Sequence, residues 1–225
     1  MKIGNLIRSF NTAVLMLIFF GGMALYMSIP DLIISFKPAV SFEELLEEDG
    51  AQLKAGGHVA GNVVYVLDYF ASESSYTKRS DGSRSGSRKS GNYYLVPSSN
   101  GYFALKSRQA DVETLNQLSE ETFTYLTSGT EPSTEFFMEG KVELLEGNLV
   151  KYYQEYLEEL GYTTEEIAEL GEPLVVRFVS FTAVRVMSGI GLVLLILGLL
   201  LLRRNYRREE RGTGLPKAED LPEVP

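Results

Sequence analysis

Residues 181–202 read FTAVRVMSGIGLVLLILGLLLL, and residues 11–29 read NTAVLMLIFFGGMALYMSI. Arg185 is the single charged side chain in the two stretches together. A bilayer core ~30 Å thick is crossed by roughly 20 helical residues, and each stretch is close to that length. The buried helix of a small soluble domain is seldom apolar on every face for so long. The two stretches therefore predict two membrane-spanning helices, with the rest of the chain arranged around them.

The first stretch has the short basic start of a signal peptide, Lys2 and Arg8. Its apolar run is nonetheless longer than the ~7–15 residues of a cleaved h-region, and no small-x-small site follows it directly. We expect an uncleaved anchor whose helix stops at Pro30-Asp31. Basic residues near span ends set orientation. Arg203, Arg204, Arg207, Arg208 and Arg211 follow the second span, whereas Lys37 and Arg177 flank the other side of the spans. Arg185 can snorkel from the outer end of its helix. This pattern predicts a cytoplasmic tail at 1–10, spans at 11–29 and 181–202, an extracytoplasmic domain at 37–180 and a cytoplasmic tail at 203–225. The implied location is the cell membrane, multi-pass, with both termini cytoplasmic.

The whole chain carries −9, but residues 37–180 hold 24 Asp and Glu against 12 Lys and Arg. An acidic domain of this kind is a poor match for a phosphate-neutralising surface, so nucleic acid is not an expected partner. The lipid bilayer and an envelope protein are the partners that the layout implies. Cysteine is absent, and no Asn-x-Ser/Thr sequon occurs. Outer domains of eukaryotic proteins often carry disulfides, so both absences point to a bacterial envelope.

Within the domain, Ser41 followed by FEELLEED reads as a short capped helix with Glu44 completing a capping box. Residues 58–70 (HVAGNVVYVLDYF) read as one long strand bent at Gly61. Residues 72–92 are rich in Ser, Gly and Arg and lack an apolar period, which predicts a flexible basic loop. Two strands, 93–97 and 102–106, flank an Asn-Gly turn at 98–101. Residues 111–126 form an amphipathic helix with Val112, Leu115, Leu118, Phe123 and Leu126 toward the core. A strand at 136–145 follows. A helix at 148–160 comes next, with Leu149, Tyr153, Tyr156, Leu157 and Leu160 on one face and a C′ glycine at Gly161. Thr163 and Glu166 open a further short helix, and 174–178 (LVVRF) closes the domain as a strand. The expected fold class is α+β with a mainly antiparallel sheet, flanked by two transmembrane helices.

Chemistry-bearing patterns are sparse. His58 is the only histidine, so the common zinc sets and Ser–His or Cys–His arrangements cannot be assembled. It reads as an ordinary strand-start residue. Ser75 and Lys78 match Ser-x-x-Lys, but they sit in the loop and no Lys-Thr-Gly follows. Lys78, Arg79, Arg84, Arg88 and Lys89 form a basic cluster that can contact an anionic partner, or simply a solvated insertion. Glu155, Glu158, Glu159, Glu165, Glu166 and Glu169 read as solvated helix faces, since no Asp-rich calcium loop is present. No catalytic set, cofactor motif or metal-ligand set is expected. Tyr65, Tyr69, Tyr93, Tyr94, Tyr102, Tyr152, Tyr153 and Tyr156 read mainly as packing residues, with a tyrosine-lined groove as an alternative. Gly21, Gly22, Gly189, Gly191 and Gly198 allow the spans to pair.

GGHVAGNVVYVLDYF (56–70) after the first span and YYQEYLEELGYTTEEI (152–167) before the second give the chain its layout. In this it resembles two-pass membrane proteins of Gram-positive bacteria with a small extracytoplasmic domain. That resemblance implies location and carries no activity. The functional expectation is a non-enzymatic accessory, sensor or scaffold protein that binds a partner through its outer domain. The alternative is an envelope hydrolase using paired carboxylates.

Overall fold

The structure, a computed structural model, describes residues 10–212 except 79, 81 and 84. It divides into two units, residues 33–181 and residues 1–32 with 182–225.

The second of these contains two long helices, α1 (Thr12–Ser35) and α5 (Phe181–Gly212). Asn11 caps α1, its Oδ1 accepting from Val14 N at 2.9 Å. Contrary to expectation, α1 does not stop at Pro30-Asp31 but carries Pro30 inside it. One proline removes a single helix hydrogen bond, which a helix of this length tolerates. Only 11% and 17% of the apolar windows of α1 and α5 are buried. Phe19, Phe20, Val193 and Leu200 are all more than half exposed. These are two helices long and apolar enough to cross a membrane, and they do not serve as the core of a soluble domain. They pack on each other where side chains vanish. A Cβ on Gly21 would lie 2.8 Å from Gly191 O, and one on Gly198 would lie 2.8 Å from Ile18 Cγ1. Ser188 Oγ donates to Ser28 Oγ at 2.8 Å, and Ser28 Oγ also reaches Ala24 O at 2.7 Å. Gly22 and Gly189 take no part in this approach.

The 33–181 unit is an α+β sandwich on a seven-stranded sheet. Its strands are β1 (Ala39–Val40), β2 (His58–Asn62), β3 (Tyr69–Ser75), β4 (Arg88–Ser98), β5 (Gly101–Lys106), β6 (Phe137–Leu144) and β7 (Leu174–Phe178). The spatial order is β1-β2-β6-β7-β5-β4-β3. The sheet is mixed: β1–β2 and β5–β7 are parallel, and the other four pairs antiparallel.

Alternation along the central strands feeds two cores. Tyr94, Val96, Phe103, Leu105 and Val176 face Leu115 and Leu118 of α2 (Val112–Ser128). Tyr93, Leu95, Ala104 and Val175 face Tyr153 and Leu157 of α3 (Asn148–Glu159) and Ile167 of α4 (Thr164–Glu169). Neighbouring residues of a strand point to opposite faces, so six successive buried positions on β4 mark a strand covered on both sides. The Ser98↔Gly101 closure of the β4–β5 hairpin is as read from the Asn-Gly pair.

Three expectations fail. Residues 58–70 are two strands, not one: β2 lies second from one edge and β3 forms the other. Residues 63–68 cross between them, their amides held by Phe136 O, Thr122 Oγ1 and Leu95 O instead of a ladder. Residues 42–49 form turns, not a helix, although Ser41 and Glu44 exchange both capping-box bonds at 3.1 Å. Phe42 and Leu45 are drawn into the core, and Ser99 N binds Leu45 O, so tertiary contacts override the helix propensity. The ends of the expected loop 72–92 belong to β3 and β4, whose register runs out to Ser75↔Arg88.

Candidate functional site: a tyrosine-lined groove

The C-terminal turns of two helices and the crossing segment enclose a groove of about 460 Å³. Gly129, with φ +74°, ends α2, its N–H donating to Tyr125 O at 2.8 Å. Gly161, with φ +99°, turns the chain after α3 so that Tyr162 N reaches Leu157 O at 3.1 Å. Side chains disfavour this left-handed backbone, which makes glycine the natural residue at both stops. The stops present Phe123, Tyr125 and Leu126 on one side, and Leu160 and Tyr162 on the other. Tyr65 and Leu67 of the crossing segment and Tyr102 of β5 complete the lining, with Leu46, Pro97 and Thr122. None of these side chains is charged.

Two tyrosine pairs give the groove its polar points. Tyr65 and Tyr125 stack with centroids 5.0 Å apart and planes at 24°. The Tyr102 and Tyr162 hydroxyls are 3.0 Å apart, and Tyr153 Oη donates to Tyr102 O at 2.8 Å. The hydrogen bond to Tyr125, then burial and the nearby Glu131 charge push the Tyr65 phenol up to about 12. Burial, and then the Tyr162 hydroxyl, push Tyr102 up to about 12 as well. Both phenols stay neutral across physiological pH. Pockets of ~300–1,000 Å³ with apolar lining and a few fixed polar groups are the usual form of a binding site.

Sequence reading named Tyr65 and Tyr102 without placing them together, and it sent Phe123 and Leu126 to the core. The structure exposes those two at 42% and 65%, and buries Ser119 and Thr122 instead. Leu115, Leu118, Ser119 and Thr122 fall at i, i+3, i+4 and i+7, so the helical period was present with two small polar residues in it. Thr122 suits its place because its hydroxyl donates to Leu118 O at 2.8 Å and accepts from Val66 N.

A second cleft of about 400 Å³ is lined by Gln52, Ser98, Asn100, Tyr102, Glu169 and Glu172 among others. It places two carboxylates in one concavity.

Of the basic cluster, Lys78, Arg88 and Lys89 are exposed, the latter two on β4 opposite Ser75 and Ser74. Arg79 and Arg84 lie outside the described residues. Ser75 and Lys78 are likewise exposed. On α5, Arg203, Arg204, Arg207 and Arg208 are exposed, and the side chain of Arg211 lies outside the described residues. Of the carboxylates read as solvated, Glu166 is spent on the Thr163 capping box, whose backbone hydrogen bond lowers its pKa. His58 does start β2 but is 7% exposed. Its Nδ1 lies 3.1 Å from Lys37 O, which can only accept, so the proton sits there and Nε2 is bare in the neutral ring. Nε2 has no hydrogen-bond partner and lies 3.6 Å from Glu139 Oε1, while Glu139 Oε2 accepts from Phe181 N at 3.2 Å. Among the described residues no group of three or more His, Cys, Asp or Glu converges on a metal position.

The profile of a family described as a domain of unknown function (DUF8577) matches residues 4–204. The chain belongs to the DUF8577 family. The match takes in α1, the whole 33–181 unit and α5 as far as residue 204. No curated protein and no solved structure matches the chain.

Proposed function

We propose that this DUF8577 member is a two-pass protein of the cell membrane, with 33–181 outside the cytoplasm. The outer unit is a non-enzymatic binding module that takes an apolar segment of a partner protein into the tyrosine-lined groove. Support for the membrane arrangement comes from two outward-facing apolar helices and from the arginines after the second. The observation that carries the binding function is an uncharged, partly exposed aromatic groove on an otherwise acidic domain. Charged side chains depleted at the centre, and aromatics enriched there, are the composition of an interface core. Glu131 sets a negative charge beside Tyr65, and Asp68 and Glu159 are the chain neighbours of the lining residues Leu67 and Leu160. The fitting partner segment is therefore apolar in the middle and basic at its flanks.

The natural chain has no cysteine, so a single Leu126→Cys variant carries a photo-crosslinker at one defined place. Irradiated in native membranes, it should capture one recurring protein, and Phe123→Asp in the same chain should abolish the adduct. Recovery of only self-adducts or of no defined protein would overturn the reading. Cysteines placed at Ser128 and, separately, at Arg208 test topology: an impermeant maleimide applied to intact cells should label the first alone.

A second reading rests on the cleft that holds Glu169 and Glu172. Carboxylates about 5–10 Å apart are the equipment of a glycoside hydrolase. Turnover of an envelope glycan that is lost in Glu169→Gln and in Glu172→Gln would favour it over the binding module.

A further inference from the structure

We propose that Arg203, Arg204, Arg207 and Arg208 form a binding site for the phosphodiester headgroup of an anionic phospholipid. This rests on the reading that α5 crosses a membrane. The four side chains and Leu200 line one hollow of about 450 Å³. Arg203 with Arg207 and Arg204 with Arg208 are i, i+4 neighbours, so the two members of each pair lie on the same face of the helix, about 6 Å apart along the axis. All four are exposed, and among the described residues none is paired with a carboxylate.

Four guanidiniums with no carboxylate partner among the described residues gather in one hollow. Each offers a planar fork that matches a phosphate bidentately, which an ammonium does not. Leu200 distinguishes a lipid from free phosphate. It sits one helical turn or less before Arg203, so the hollow is apolar at one end and cationic at the other. A phospholipid has the same polarity, with its glycerol and acyl chains on the apolar side. Basic pockets beside membrane helices hold such headgroups.

The test uses the full chain, purified in a neutral detergent and titrated with phosphatidylglycerol or phosphatidylcholine, with bound lipid counted by native mass spectrometry. Orientation plays no role in detergent, so a change of topology in a variant cannot imitate a loss of binding. Phosphatidylglycerol should bind at least ~10-fold more tightly than phosphatidylcholine, and R203Q/R207Q should remove most of that preference. A variant with lysine at all four positions keeps the charge and loses the forks, so it should retain only part of the preference. Equal binding of the two lipids, an unaffected R203Q/R207Q variant or a fully competent four-lysine variant would each overturn the site. Complete displacement of lipid by millimolar inorganic phosphate would overturn its assignment to lipid. Carbonate extraction of native membranes separates the two readings. Release of the chain would refute the membrane arrangement itself, whereas a retained chain with no lipid preference would refute the headgroup site alone.

Discussion

Leu118 and Leu126 lie two turns apart on α2, and the same substitution at each should have different consequences. Leu118 is fully buried and Leu126 is 65% exposed. Truncating a buried leucine to alanine costs about 2–5 kcal/mol, the lost transfer energy plus the cavity. At position 126 only about a third of the side chain leaves water on folding, so of the ~1.5–3 kcal/mol for a fully buried leucine roughly 0.5–1 kcal/mol is at stake. For a domain of about 150 residues each kcal/mol moves the midpoint by ~2–4 °C. Leu118→Ala should then lower it by ~4–20 °C, and Leu126→Ala by no more than ~1–4 °C. The assay is thermal unfolding followed by the near-ultraviolet circular dichroism of tyrosine. The chain has no tryptophan and 13 tyrosines, of which only Tyr26 and Tyr206 lie on α1 and α5. With the crosslinker moved to Leu160→Cys on the facing side of the groove, adduct formation should show the opposite ranking, with Leu126→Ala the more damaging per degree lost. Equal shifts at the two positions would refute the facing assigned to α2, and with it the groove.

Other outcomes follow from particular contacts. Glu121 accepts from Thr134 Oγ1 at 2.7 Å and from the amides of Thr134 and Ser133 at 2.8 and 2.7 Å, which lowers its pKa to about 2. Its folded-state pKa is depressed, so the stabilisation is complete above the ordinary carboxylate range of ~4.5 and is lost as pH falls through about 2. Protection of the Ser133 and Thr134 amides, measured as exchange relative to the free-peptide rate at each pH, should fall over that window, and Glu121→Gln should abolish the pH dependence of that protection. Tyr94→Phe removes a hydroxyl that is 2.6 Å from Asn116 Oδ1 and 3.3 Å from Asn92 Nδ2. Asn116 is exposed and can turn to water, so the cost falls on the buried Asn92 amide and should be about 1 kcal/mol in urea unfolding with an unchanged m-value. In the helix pair, a Cβ on Gly191 already lies 3.1 Å from Gly21 O and from Ala24 Cβ. Gly191→Leu should therefore separate α1 from α5. The yield of disulfide between cysteines introduced at Ser28 and Ser188, whose hydroxyls are 2.8 Å apart, should drop at least several-fold.

What the sequence by itself determined is whatever is local. Two long apolar runs show themselves by length. The Asn-Gly hairpin, the Thr163–Glu166 cap and the glycine after α3 depend on backbone chemistry within a few residues, and all three stand in the structure. Only the tertiary structure decided matters that depend on distant partners. Residues 58–70 have continuous strand character, but Thr122 Oγ1, Phe136 O and Leu95 O capture the amides of Val63, Val66 and Leu67 and split the run. Residues 42–49 have a valid helix start, yet burying Phe42 and Leu45 proved worth more than a short helix. The groove had no signature at all, since Tyr65, Tyr102, Tyr125 and Tyr162 come from four separate segments. Periodicity records which side of a helix is apolar. It does not record which part of that side is covered, and at α2 that distinction separates the core from the binding surface.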